Sequence, residues 1–291
     1  MTIANLPHLA QRLFNTPLAI TPGKLEVVIA ALADRMGITQ LFRVDGSVFA
    51  FDGDWKSGTD ARESRDRGYE VCEGVAIIPV TGTLVAKLGT LRPYSGMTGY
   101  DGIRGALSLA LADDAVRAIA FDMESPGGEV AGCFDLVDAI YRARGTKPMW
   151  SILTETAYSA CYALASATDR IVVPRTGGTG SVGVISACMD MSKALDKAGV
   201  RVELITFGER KADGNEFSPL SPEARARFQA DVDIMGNLFV DTVARNRGIA
   251  RTKVLDTQAM TYLGQAGVDI GFADAVMAPD EAFQELCESL G

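Results

Sequence analysis

The sequence predicts an α/β protein with a largely parallel sheet. Short apolar runs bounded by glycine and turn residues recur from Gly74 onward, as in "GVAIIPV". Amphipathic helical segments alternate with them, as in "GCFDLVDAIYRARG". Strands separated by crossover helices pair in parallel. Of the 291 residues, 47% are hydrophobic and 22% charged, a globular balance sufficient for one large domain or two small ones.

Taken in order, residues 1–42 predict a helical arm. Thr21 caps a helix with Pro22 at its first position, and Leu25, Val28, Ile29 and Leu32 form its apolar face. Residues 43–70 turn polar, charged and Gly-rich, the texture of a flexible linker or exposed excursion. Strands follow at 74–80, 116–123, 148–153, 170–174, 181–189 and 200–208, with helices near 100–113, 132–145 and 191–199. A further helix begins beside Ser159. Ser221 and Pro222 open a long helix to Arg247, whose Phe228, Val232, Met235, Phe239 and Val243 form a stripe for packing or subunit contact. A short strand and a helix end the chain. The division expected is 1–70 as arm and linker, 71–278 as the main domain and 279–291 as a C-terminal helix or tail.

Composition narrows the function. A net charge of −9, without a basic cluster, argues against a nucleic-acid partner. The first twenty residues lack the pattern of a signal peptide, and no run of about 18 apolar residues exists for a membrane span. A soluble, intracellular, non-secreted protein is expected. The five cysteines are odd in number and none is spaced as CxxC, which fits reduced thiols. His8 is the single histidine, so neither a zinc site nor a histidine-based triad is expected. A covalent nucleophile here would need another base, and lysine is the common substitute.

Four stretches can carry chemistry. "ESPGGEV" (124–130) is either a tight strand-to-helix turn or a corner at Gly127 and Gly128 that aims N–H groups at an oxyanion. "YSACYALASA" (158–167) places Ser159 near a helix start, as a small packing residue or as a nucleophile. "GGTGSVGV" (177–184) formally contains GxGxxG. Its β-branched continuation reads as strand rather than the helix a pyrophosphate needs, so the glycines are expected to let backbone pass close to a neighbour. "FGERKADGNEFSPLS" (207–221) holds Lys211 in a loop. To act as a base near neutrality, its pKa of about 10.4 would have to fall by about 3 units. Glu209 and Asp213 would oppose that, and Arg210 would assist it.

The combination is more specific than its parts. "DMESPGGEVAG", "YSACYALASA", "GTGSVGV" and "KADGNEFSPLS" stand in the order and spacing of the Ser-Lys peptidases of the signal-peptide-peptidase A type, which this sequence resembles over about 70–278. "NLPHLA", "FNTPLAI", "PVTGTLV" and "LRPYSGMTGYDGI" resemble the head-maturation subgroup of lambdoid phages, the minor capsid protein C type. The resemblance implies a Clp protease/crotonase-like fold with Ser159 as nucleophile and Lys211 as general base. It implies Ser181 as the hydroxyl that orients the lysine, and Gly127 or Gly128 as oxyanion donors. No metal or other cofactor is implied. Substrates or neighbours would be phage head proteins (scaffold, portal, major capsid) and the chain itself, in the host cytoplasm or prohead, with no membrane or nucleic-acid partner. A homo-oligomer is implied. Cys161 departs from the glycine usual two residues after the nucleophile. In the phage subgroup the chain tends to continue into a scaffolding segment, whereas this sequence stops at Gly291, which points to a shorter or truncated relative. Alternatives are a host-type signal-peptide-degrading peptidase, a catalytically inactive capsid-scaffold component, and a crotonase-type acyl-CoA enzyme.

Overall fold

The computed structural model describes residues 16–25, 28, 68–88 and 96–291. Its larger sheet is built on strands buried on both faces, the pattern of a parallel sheet covered by helices. Strands β3 (Val75–Thr81), β6 (Ala118–Ser125), β8 (Met149–Tyr158) and β10 (Gly178–Gly180) run parallel to one another, in the order β3-β6-β8-β10. β2 (Glu70–Cys72) and β11 (Thr261–Leu263) close the two edges in antiparallel sense. β9 (Arg170–Val173) pairs with the first half of β8, and β12 (Ala275–Val276) pairs with β9. A smaller sheet has the order β1 (Leu18–Ile20), β7 (Gly127–Glu129), β4 (Thr83–Val85), β5 (Met97–Gly99).

Alternation along the strands supplies two cores. Ile119, Phe121 and Met123 of β6 point to one face, where they join Leu136, Val137 and Ile140 of helix α2 (Cys133–Ala143). The same core takes Ile103 and Leu107 of α1 (Tyr100–Ala112) and the whole of α3 (Ala160–Ser166). Ala118 and Ala120 point the other way and meet Trp150, Ile152, Ala282 and Leu286, the last two on α8 (Pro279–Glu288). Every residue of α3 is buried, which explains why "ACYALAS" carries no charge.

The end of α3 is held by one guanidinium. Arg144 Nε donates to Ala167 O at 2.8 Å, and its Nη2 donates to the carbonyls of Ser166, Thr168 and Asn246. Burial lowers the Arg144 pKa, and nearby Asp169 opposes that shift.

The short helices α4 (Ser192–Lys197), α6 (Arg251–Leu255) and α7 (Gln265–Asp269) connect these layers. The long helix α5 (Pro222–Arg247) starts as its sequence predicts, with the Ser221 hydroxyl accepting from Ala224 N, and stops at Gly248 in a left-handed conformation. Of its stripe, Phe239 and Val243 reach the core; Phe228, Val232 and Met235 are partly buried, while Ile234 and Leu238 are exposed.

Three expectations need correction. The strand expected over 181–189 is instead β10, ending at Gly180. Ser181 adopts φ 56°, which breaks the pleat, and beyond it Ile185 makes only an isolated bridge to Leu18. The run 200–208 forms no ladder, because none of the described strands lies beside it; Ile205 and Phe207 are almost fully exposed. Within the expected helical arm, Leu18–Ile20 is a strand. Residues 22–25 are helical just past Thr21, whose carbonyl accepts from the N–H groups of Lys24 and Leu25. The rest of the arm, and the linker up to residue 67, lie outside the described residues.

Candidate active site

Three adjacent parallel strands deliver three of the candidate residues to one edge. Gly127 comes two residues after β6 ends, Ser159 one residue after β8, and Ser181 one residue after β10. This is the carboxyl end of the sheet, where open α/β folds collect their sites.

Ser159 occupies a strained elbow between β8 and α3, with φ 55° and ψ −122°. A non-glycine residue held in such a conformation costs about 1–3 kcal/mol, so the surrounding contacts must over-determine it. They do. Ser159 N–H donates to Gly180 O at 2.8 Å, and Ser159 O accepts from Ala163 N at 2.9 Å. The elbow turns the hydroxyl into a buried position in which Oγ has no hydrogen-bond partner among the described residues. A buried hydroxyl left unsatisfied costs about 1–3 kcal/mol. It also keeps its lone pairs uncommitted.

The Gly127 corner lies directly against Ser159. A Cβ at Gly127 would stand 2.9 Å from Ser159 Cβ and 3.1 Å from Tyr158 O, and φ at Gly127 is +103°. Only glycine fits both constraints. The corner is braced by Ser125, a residue to which the sequence assigned no role. Its hydroxyl accepts the Gly127 N–H at 3.1 Å and donates to Gly82 O at 2.6 Å. Gly128 pairs with Ala19 on one side and Leu84 on the other.

Behind the elbow, burial pushes the Cys161 thiol well above its usual range, with a Ser125 contact acting the other way. Burial likewise pushes Cys133 up to about 12, while a hydrogen bond with Tyr100 acts to lower it. Neither thiol supplies a thiolate near neutrality.

The glycines of "GTGSVG" serve packing. Gly178–Gly180 is a strand inside the sheet, and a Cβ at Gly178 would stand 2.1 Å from the Tyr158 hydroxyl. No helix follows until Ser192, so the geometry of a dinucleotide fingerprint is absent.

Ser181 is 8% exposed, with its N–H donating to Met260 O at 2.9 Å. Lys211 is not brought to this edge within the described residues. It lies exposed in the turn at 208–214, its N–H bonded to Gly208 O, and its side chain bonds to neither Ser159 nor Ser181. Asp213, expected to oppose a neutral Lys211 if close, is instead paired with Arg227 and lies 4.0 Å from Arg210. Among the described residues no cluster of metal-ligating side chains occurs.

A strained serine between strand and helix, facing a glycine corner, is an arrangement suited to acyl transfer. The model of peptidase family S49 matches residues 142–291, which include the elbow and the lysine turn. The chain belongs to that family. It is 39% identical to the Capsid assembly protease C of Escherichia phage lambda, over 99% of this chain and 67% of the relative. It is 38% identical to the Head-tail preconnector protein GP5 of Enterobacteria phage P21, over 98% of this chain and 58% of that protein. The chain therefore spans about three fifths to two thirds of these two relatives. A more distant S49-type similarity, 27% over 86% of the chain, is to the chloroplastic Serine protease SPPA of Arabidopsis thaliana. No described helix of this S49 chain is long and apolar enough to cross a membrane.

Proposed function

We propose that this chain is a serine endopeptidase of Clp/crotonase-like architecture that acts on phage head proteins, itself included, during head maturation. Ser159 Oγ attacks the peptide carbonyl, Lys211 in its neutral form takes the proton, and the tetrahedral oxyanion is held by N–H groups of the Gly127-Gly128 corner. The Gly127 N–H already donates to Ser125 Oγ, and Gly128 is paired with Ala19 of β1, so the Gly128 N–H becomes available to a substrate carbonyl only when β1 gives way. Lys211 then returns the proton to the leaving amine, an acyl-serine forms, and water hydrolyses it. Ser181 orients the lysine. No metal or other cofactor enters the scheme.

The observation that carries this reading is the strained Ser159 elbow packed against Gly127, with its hydroxyl buried and, among the described residues, unpartnered. The names of the two phage relatives support the choice of substrates and a site of action in the host cytoplasm or prohead.

Lys211 reaches Ser159 on assembly. The exposed apolar run 200–207 adjoins the lysine turn, and its burial in a homo-oligomer would carry Lys211 out of water. The test is cleavage of co-expressed head proteins, followed by mass spectrometry. Ser159→Ala and Lys211→Ala should each abolish cleavage in a folded chain, and a fully active Lys211→Ala chain refutes the dyad.

The exposure of Lys211 favours one second reading, a catalytically inactive component of the capsid scaffold. A fluorophosphonate label on Ser159 in assembled particles excludes it.

A further inference from the structure

We infer that Leu18–Ile20 is a built-in occupant of the peptide slot at Ser159, a strap that incoming substrate must displace. The inference rests on the reading of Ser159 as nucleophile and adds what controls access to it. β1 lies between β7 and Ile185. Leu18 N–H donates to Ile185 O at 2.8 Å, and Ile185 N–H donates back to Leu18 O at 2.9 Å. Leu18 therefore spends both main-chain groups on Ile185. Polar groups alternate sides along a strand, so those of Ala19 face the other way, onto Gly128, its partner in the register. Thr21 N–H, on that same side, donates to Pro126 O at 3.0 Å.

The consequence is a main-chain carbonyl aimed at the glycine corner. The Cβ that Gly127 lacks would stand 2.2 Å from Ala19 O and 2.9 Å from Ser159 Cβ. Strap and nucleophile thus converge on one point that glycine keeps open. An extended segment added to a strand edge, with its carbonyl beside a nucleophile, is how strand addition would present a peptide for attack. The side chains fit as well: Leu18, Ala19 and Ile20 are 4%, 0% and 6% exposed. The Ser159 hydroxyl is itself buried and, among the described residues, without a partner.

The strap is also displaceable. It is a three-residue edge strand held by few hydrogen bonds, and such elements open at far lower cost than the core.

The test uses the full chain. Ala19→Pro removes the N–H that faces Gly128, and Leu18→Asp puts a charge into a buried seat. Two rates are followed: hydrogen exchange at the amides of Leu18 and Ile185, and labelling of Ser159 by a fluorophosphonate. Losing one or two ladder bonds should accelerate both by about 10-fold. The synthetic peptide Thr-Pro-Leu-Ala-Ile-Thr-Pro, residues 16–22, should restore slow exchange at Ile185 in the Ala19→Pro chain and compete with the label. Should the variants lose cooperative unfolding, the unaltered chain in sub-denaturing urea gives the same information. There the Leu18 and Ile185 amides should open together before core amides, with labelling rising in parallel. Freed amides with an unchanged labelling rate overturn the inference, as does opening of the strap only with the core. Absence of labelling in every chain, in assembled particles as well, with the exchange changes intact, instead refutes Ser159 as the nucleophile and removes the inference with it.

Discussion

Gly127 and Ser159 sit so close that a single methyl group separates a working corner from a blocked one. A Cβ at Gly127 would lie 2.9 Å from Ser159 Cβ, in a backbone conformation that side chains rarely adopt. Gly127→Ala should therefore destabilise the fold by about 1–3 kcal/mol and remove peptidase activity. Urea unfolding gives the first quantity and peptide hydrolysis the second. An Ala variant of ordinary stability and activity would mean that the corner is no part of the site.

Ser159 should illustrate a conflict between stability and activity. Its hydroxyl is buried without a partner, and its φ is 55°. Ser159→Ala removes the first cost and should stabilise the chain by about 1 kcal/mol. Ser159→Gly relieves the backbone as well and should gain about 1–3 kcal/mol. Both variants should be inactive. The check is the denaturant midpoint beside the cleavage rate.

The proposed general base predicts the pH profile. A lysine working from its neutral form places the rising limb of kcat/KM at its own pKa in the free enzyme. Burial on assembly should bring that limb well below the 10.4 or so of free lysine. A limb near 10 in the assembled protein would leave Lys211 in water and refute the proposal.

Alkaline pH should unfold the chain through its thiols and phenols. Burial raises Cys133 to about 12, and raises Cys161, Tyr100 and Tyr162 as well. The folded state thus keeps protons that the unfolded chain loses, so stability falls as pH rises. The loss begins near the ordinary thiol value of about 8.5 and steepens near 10, where unfolded tyrosines ionise. Urea midpoints at pH 7, 9 and 10.5 should decrease in that order. At pH 8 an alkylating reagent should reach exposed Cys72 and Cys188 long before Cys133 and Cys161.

Arg144 holds the end of α3, the helix that follows Ser159, by hydrogen bonds to four carbonyls. Arg144→Ala leaves these groups without their charged donor. It should cost about 2–3 kcal/mol, moderated by the side chain's 28% exposure, and should slow Ser159 labelling in the chains that remain folded. Arg144→Lys should recover little, because one ammonium cannot reproduce the planar fork.

Much of the fold was legible because burial writes itself into local pattern. The strands at 75–81 and 118–125 read as apolar runs, since helices cover both faces of their sheet. The start of α5 read from Ser221 and Pro222, because a cap is a local matter. The apolar run at 181–189 misled because Ser181, at φ 56°, breaks the pleat, and that at 200–208 because a strand needs a neighbour and hydrophobicity alone does not supply one. The same reason hid β1, whose partners Gly127–Glu129 lie more than a hundred residues away.

By itself the sequence determined the α/β class, the presence of a single histidine, and the serine, glycine and lysine stretches on which the chemistry is proposed. The tertiary structure decided that Gly127, Ser159 and Ser181 share one sheet edge, that Lys211 stands apart from them in the single chain, and that Leu18–Ile20 pairs with Gly127–Glu129. Residue type and spacing carry chemical capacity and local propensity. Proximity between distant segments comes only from how strands pair and where the backbone is forced through an elbow.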